Sequence, residues 1–283
     1  MKKSFYYLAA AILSTTIVCS CGGKGTAAGG KSENAITNFA VKEVIKTADK
    51  NYRLVTDYDT VYMDLYTSIH WPEQLGDADL KVLQDSILDF AYGDTVSTSI
   101  DKAIYAYLDD ISIVDGIKES VVVDSIPQGD DRTMAYFGNV TVSLVDLDEY
   151  MVTYQVMNST FLGGAHPMTA IRPFTYDLRN GRVLNVDNMF KAEARDSVMP
   201  VVINALARQL DVDPMQLEKA GIFTSQLTYP GNPYIANNIL YFHYNPYDIA
   251  PYAAGMIDVA VYPYEVAGML KPDVLDLFDI GIH

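Results

Sequence analysis

The chain has 283 residues, 49% of them hydrophobic, and a formal net charge of −16 from 20 basic and 36 acidic side chains. That length and apolar fraction suffice to bury a sizeable core, as one large or two small domains. The acidic excess disfavours nucleic acid and anionic membrane surfaces as partners and favours basic ones.

In chain order, Lys2 and Lys3 open a stretch that is apolar from Phe5 to about Ile12 and then turns to small residues before a cysteine. This is the three-part layout of a secretory signal. The apolar run is shorter than the roughly 20 residues a spanning helix needs, and no later segment makes up that length. Val18-Cys19-Ser20-Cys21 resembles the bacterial lipobox, with an aliphatic residue three places before Cys21 and a small one directly before it. Residues 1–20 are therefore expected to be a lipoprotein signal and Cys21 the lipidated anchor. Cleavage there removes Lys2, Lys3 and Cys19, leaving 18 basic against 36 acidic residues and a charge near −18. With its one remaining cysteine acylated, the body has no thiol for catalysis, a disulfide or a metal. Residues 21–35, rich in Gly, Ala, Ser and Lys, have the composition of a flexible tether. The residues after Cys21 carry no acidic cluster, which points to an outer-membrane anchor with the body in the periplasm.

Ile36–Ala48 and Thr60–Trp71 alternate polar and apolar residues as strands do. Asp77–Tyr92 places Leu80, Leu83, Ile87, Phe90 and Ala91 at helical spacing, with Asp77 or Asp79 as cap, and Ser97–Leu108 repeats Ile100, Ile104 and Leu108. Met134–Leu144, Glu149–Thr160 and Thr169–Leu178 read as an antiparallel meander, with Asp146-Leu147-Asp148 as one turn and Leu162–Pro167 as the other connection. Asn180-Gly181 is a tight-turn signal before Val183-Leu184. A helix is expected over Ser197–Leu210, with Val198, Val202, Ala205, Leu206 and Leu210 on one face and Pro200 in its first turn. Asp213-Pro214 opens a short helical stretch to Ala220. Asn238–Tyr244 and Met256–Val261 read as paired strands, and Pro263–Leu270 as a terminal helix. The pattern predicts an α+β fold, mainly antiparallel, with a small domain over 36–125 closely associated with a larger one over 126–283.

The chemistry-bearing residues are few. His70, His166, His243 and His283 never stand three or four apart, and no His-Glu-x-x-His or Gly-x-Ser-x-Gly motif occurs. No metal, cofactor or catalytic activity is expected. Gly129-Asp130-Asp131 and Asp146-Leu147-Asp148 lack the ligand spacing of a calcium loop and read as solvated turns. His166, between two glycines and a proline, either faces a ligand or braces the bend by a hydrogen bond. Tyr247, Asp248 and Tyr252 offer flat faces with hydrogen-bonding tips, or equally a rigid connection tucked against the core.

Three passages together resemble the RsiV-like family, known as domain of unknown function 3298: Gly163–Pro167, Phe174–Leu184 and Phe242–Gly255. The passage Tyr66-Thr67-Ser68-Ile69-His70-Trp71-Pro72, leading into the Asp77–Tyr92 helix, is similar to the small domain found upstream in peptidoglycan deacetylases. The resemblance implies an extracytoplasmic binding module without catalysis of its own, whose best understood members bind lysozyme directly. It leaves two partners open, a lysozyme-like basic protein or a cell-wall glycan, with His166, Tyr247, Asp248 and Tyr252 as the candidate binding residues.

Overall fold

The computed structural model describes residues 13–17, 39–55, 60–93, 99–110, 121–122, 135–228 and 230–279. Cys21 and the tether lie outside the described residues. Leu13–Ile17, inside the expected leader, forms β1 and runs antiparallel to β2 (Val41–Val55) at Glu43–Thr47. Cleavage before Cys21 would take β1 away and leave that stretch of β2 as a sheet edge.

β3 (Thr60–Leu75) pairs antiparallel with β2 along its length. Val44, Ala48 and Tyr52 of β2 and Met63, Leu65 and Ile69 of β3 are buried, whereas Asp64, Tyr66 and Ser68 are not. That is the period-two pattern of a sheet with one covered face. The cover is α1 (Lys81–Tyr92) and α2 (Ile100–Asp109). α1 buries Leu83, Ile87, Leu88 and Ala91. Asp79 Oδ1 accepts the Lys81 N–H at its start (3.0 Å), and Gly93, at φ +76°, closes its end with an N–H bond to Asp89 O. Ser99 caps α2, and Lys46 and Lys50 of β2 pair with Asp101 and Asp109 on it.

β4 (Val121–Val122) sits against β2, and β5 (Ala135–Leu147), β6 (Met151–Phe161), β7 (Met168–Asp177) and β8 (Arg182–Val183) complete an eight-stranded sheet. The main order is β1-β2-β3-β5-β6-β7-β8, and every neighbouring pair is antiparallel except β3–β5. The α+β, mainly antiparallel architecture read from the sequence holds. Two helices lie between β3 and β5 in the chain, a connection long enough for a parallel partner. The turn expected at Asp146–Asp148 falls slightly later: Asp146 and Leu147 still belong to β5, and Asp148 Oδ1 accepts the N–H groups of Tyr150 (2.6 Å) and Met151 (2.8 Å).

The strands on either side of residue 125 share one sheet, and one hydrophobic core runs from Val44 to Tyr176. Neither divides at 125/126. A second core takes Met151 together with Leu184 through Phe278. Its elements are α3 (Val186–Met189), α4 (Val198–Gln209), β9 (Asn232–Ala236), β10 (Ile239–Tyr244), β11 (Ile257–Val261), α5 (Pro263–Val266) and α6 (Pro272–Leu275), joined by short 3₁₀ turns. β11-β10-β9 form a three-stranded antiparallel sheet, with α4 packed against β11. α4 buries Val198, Val202, Ala205 and Leu206 as expected, but Leu210 is 39% exposed because it lies beyond the last turn. The terminal helix expected over Pro263–Leu270 stops at Val266; Leu270 instead bridges to Phe190, and α6 follows.

β9 falls in a stretch to which the sequence pattern assigned no element, and it contains a proline. Pro233 is tolerated because β9 is an edge strand and Pro233 shares the outward-facing parity of Ile235, so it has no ladder partner to lose. At Ile235 that edge is sealed by the large sheet. The Ile235 N–H donates to Thr175 Oγ1 (2.7 Å), and Thr153 Oγ1 donates to Ile235 O (2.6 Å). The Thr175 hydroxyl is thereby left to donate to Thr153 Oγ1 (2.7 Å), which closes a ring. Both threonines are fully buried. Thr175→Val, close in shape, breaks the ring and orphans the Ile235 N–H. Urea unfolding should show a loss of about 1–3 kcal/mol, and amide exchange should speed up at Ile235 before it does at the β2–β3 hairpin.

Candidate functional site

The β6–β7 connection, Leu162–Pro167, bends through two glycines in the left-handed region, Gly163 at φ +91° and Gly164 at φ +104°. A Cβ on Gly163 would come into contact with the Tyr136 ring at 3.4 Å. The bend turns His166 back so that its Nδ1 donates to Pro167 O (3.0 Å). The Tyr252 hydroxyl, from the β10–β11 loop, donates to the same carbonyl (2.9 Å). The two rings stack, with centroids 3.7 Å apart and planes 18° from parallel. Tyr247 tilts against Tyr252 at 5.7 Å and is 49% exposed. Leu162 (38% exposed) and Met168 (46% exposed) flank the bend in sequence.

His166, Tyr247 and Tyr252 thus meet at one surface, although about eighty residues separate the two loops. Asp248 belongs to the same loop and is exposed, and its Oδ2 accepts the Asn245 N–H (2.7 Å). It braces the turn through that one oxygen. The bracing reading is also partly right for His166 and Tyr252, since both are tied to Pro167 O. Both residues are half-buried, and each ring covers one face of the other.

The β10–β11 loop is held tightly. Tyr247 adopts φ +72°, a conformation costly for a residue with a side chain. It persists because Tyr247 N–H bonds Ala250 O (3.1 Å), Asp248 N–H bonds Asn245 O (3.0 Å), and Ile249 O accepts from Phe223 N–H (2.7 Å). With its amide nitrogen turned to the loop, Gln226 donates to Tyr247 O and Asp248 O. Ile249 and Ala250 are buried and pin the loop to the second core. Asn245 crosses to β7, where its side chain pairs with both backbone groups of Ile171. Beneath it, His243 lies between Asn245 and Asp258. Burial pushes the neighbouring Tyr244 phenol up to about 12. The sequence reading passed over Asn245 and His243; the one available signal was a histidine and an asparagine bracketing the end of a strand before Pro246.

A second polar centre lies in the large sheet. Glu43, 6% exposed, accepts from Tyr154 OH (2.8 Å) and from His70 Nδ1 (3.0 Å). Burial first, and then the Glu43 carboxylate, raise the Tyr154 phenol far above its usual range. A cleft of about 380 Å³ opens between Phe39, Gly76 and Arg179, and none of the four candidate residues lines it. Among the described residues no three His, Cys, Asp or Glu side chains gather as a metal site, and no helix is long and apolar enough to cross a membrane.

Two tyrosine hydroxyls distinguish bracing from display. Tyr154→Phe removes a bond to a buried carboxylate and should cost about 1.5–3 kcal/mol, whereas Tyr252→Phe removes one exposed bond to a carbonyl and should cost at most about 1 kcal/mol. Denaturant midpoints of the two variants measure this, and equal losses would mean that Tyr252 serves the fold.

Residues 187–265 match the family described as "Protein of unknown function (DUF3298)". The matched stretch holds α4, the small sheet and the Tyr247–Tyr252 loop, but not His166. The fold is similar to the crystal structure of a DUF3298 family member from Bacteroides fragilis, at 18% identity and a TM-score of 0.64, covering 82% of this chain and 94% of that one. It is also similar to a DUF3298 family protein from Pseudomonas aeruginosa, at 14% identity and a TM-score of 0.55, covering 81% and 95%. These likenesses concern the fold, and it extends well beyond the 187–265 match. No curated protein sequence matches the chain.

Proposed function

We propose that this protein is a lipid-anchored binding module of the cell envelope, held at Cys21, that captures a basic protein of the lysozyme type on the His166–Tyr252–Tyr247 surface. The observation that carries the reading is the convergence of two constrained loops into one aromatic surface. Rings held in place before binding lose little conformational entropy on contact, and aromatic anchors supply much of the affinity of protein interfaces. The RsiV-like resemblance supplies the partner class, and a mature charge near −18 suits a cationic one. Most of that charge is distant from the surface and screened at physiological salt. It therefore raises the association rate, while the rings govern dissociation.

A soluble form starting at residue 35 should bind immobilised lysozyme with an association rate that falls steeply as salt rises. Tyr252→Ala and His166→Ala should speed dissociation at least about tenfold, roughly the 1.4 kcal/mol expected of an aromatic contact, with circular dichroism unchanged. Absence of binding by the wild-type protein at low ionic strength sinks the reading. Cell-wall glycan is the second partner, favoured by Tyr66 and the Phe137–Phe161 ring pair (6.1 Å), which lie on the sheet face away from α1 and α2 and belong to neither core. Asn139, Ser159 and Thr169 continue the Tyr66 row across three strands. Retention on purified peptidoglycan but not on lysozyme would select it.

The anchor is tested separately. Cys21→Ala should leave an unprocessed precursor, because the diacylglyceryl thioether forms on that sulfur. Intact-mass spectrometry of the membrane fraction reads the outcome, and a lipid-free mature terminus at another residue in the wild type contradicts it.

A further inference from the structure

The β10–β11 loop reaches β7 through one side chain. Asn245 Oδ1 accepts the Ile171 N–H at 2.6 Å, and Asn245 Nδ2 donates to Ile171 O at 3.0 Å. Backbone donors and acceptors cannot exchange places, so this pairing settles which end of the amide is oxygen. The same oxygen faces His243 Nε2 at 3.3 Å, and His243 Nδ1 faces Asp258 Oδ1 at 2.8 Å. An amide oxygen and a carboxylate only accept. Both ring nitrogens of a side chain that is 3% exposed therefore meet acceptors, and only the doubly protonated imidazole satisfies both. Asp258 on β11 is the charge in contact with the ring. From β9, Tyr234 bonds to that carboxylate and Asn232 stands opposite His243; from the loop, Asp248 holds the Asn245 N–H.

We propose that Asn245 is the positioning residue of the His166–Tyr252–Tyr247 surface and that the His243 imidazolium holds it there, so that capture of a basic protein depends on the proton occupancy of a buried histidine. This rests on that surface being the binding one. When the ring loses a proton, the shorter, charge-assisted bond to Asp258 keeps Nδ1–H and Nε2 is stripped. Two lone pairs then face each other, Nε2 of the buried ring against Asn245 Oδ1. The amide moves off, Ile171 loses both partners, and the loop that stacks Tyr252 on His166 slackens. The latched state holds the extra proton, so acid favours latching and rising pH opposes it.

The test uses the full chain and two readouts between about pH 5 and 8, where imidazole groups titrate. Ring ¹⁵N shifts should show His243 protonated on both nitrogens at the acid end. Exchange protection at the Ile171 amide, normalised to Val156, should then fall about tenfold or more across the range, as expected when a local opening becomes easier by over 1 kcal/mol. Asn245→Ala should be unprotected at Ile171 at every pH. His243→Gln, which carries no titrating ring, should abolish the pH dependence and keeps the test valid should the alanine variant fail to fold. Lysozyme dissociation should accelerate with pH in the wild type only. A His243 ring singly protonated throughout, or Ile171 protection that ignores pH, overturns the latch. Loss of protection with pH in a protein that never binds lysozyme leaves the latch standing and removes the proposed partner.

Discussion

A closed hydrogen-bond ring joins the two sheets: Ile235 N–H to the Thr175 hydroxyl, Thr175 to Thr153, and Thr153 back to Ile235 O. Each hydroxyl donates once and accepts once, so the ring has a single sense and its members polarise one another. It does for the edge of β9 what another strand would do, inside a region where an unpaired backbone group is costly. The placement of the second core follows from it. Helices α4 to α6 pack around the small sheet, and that sheet is registered on the large one at Ile235.

The edge of β7 is managed by the same principle. Ile171 is paired by the Asn245 amide, Pro173 has no N–H to pair, and Thr175 O accepts from Leu184 N–H. Pro233 on β9 and Pro173 on β7 therefore have one physical explanation: each sits at an outward-facing position of an edge, where a missing donor is an advantage. The side chains that finish these edges also carry the candidate surface. The Tyr247–Tyr252 loop lies beside the His166 bend because the threonine ring seats β9 against β7 and Asn245, at the end of β10, holds Ile171.

Structural and proposed binding roles overlap at that surface. Pro167 O collects both His166 Nδ1–H and Tyr252 O–H, a brace of modest strength at an exposed site. The fold's costly polar contacts lie elsewhere, at Glu43 with Tyr154 and His70, and at Asp177, whose carboxylate bonds Arg179 N–H, Asn180 N–H and Asn180 Nδ2 within the Asn-Gly turn. Tyr247 is the exception, a strained backbone held by five hydrogen bonds within and to its loop, with a half-exposed ring. Strain of this kind gathers at binding sites because the surrounding structure must over-determine it.

Local rules in the sequence determined the elements. Alternation marked β2, β3, β5, β6, β7, β10 and β11; helical spacing marked α1, α2 and α4; Asp77 or Asp79 marked the start of α1, and Asn180-Gly181 the turn after β7. The four candidate residues were also visible, because glycines, prolines and aromatic rings announce constrained loops. What periodicity could not show is which elements become neighbours. The parallel β3–β5 pair, the core that runs across residue 125, and the meeting of His166 with Tyr252 all depend on contacts distant in the chain. So do the roles of Thr153, Thr175, Asn245 and His243. A threonine in a strand reads as a β-former whether it faces water or closes a ring with another sheet. Only the tertiary structure decides that, because the deciding term is the partner that replaces water, and the partner lies elsewhere in the chain.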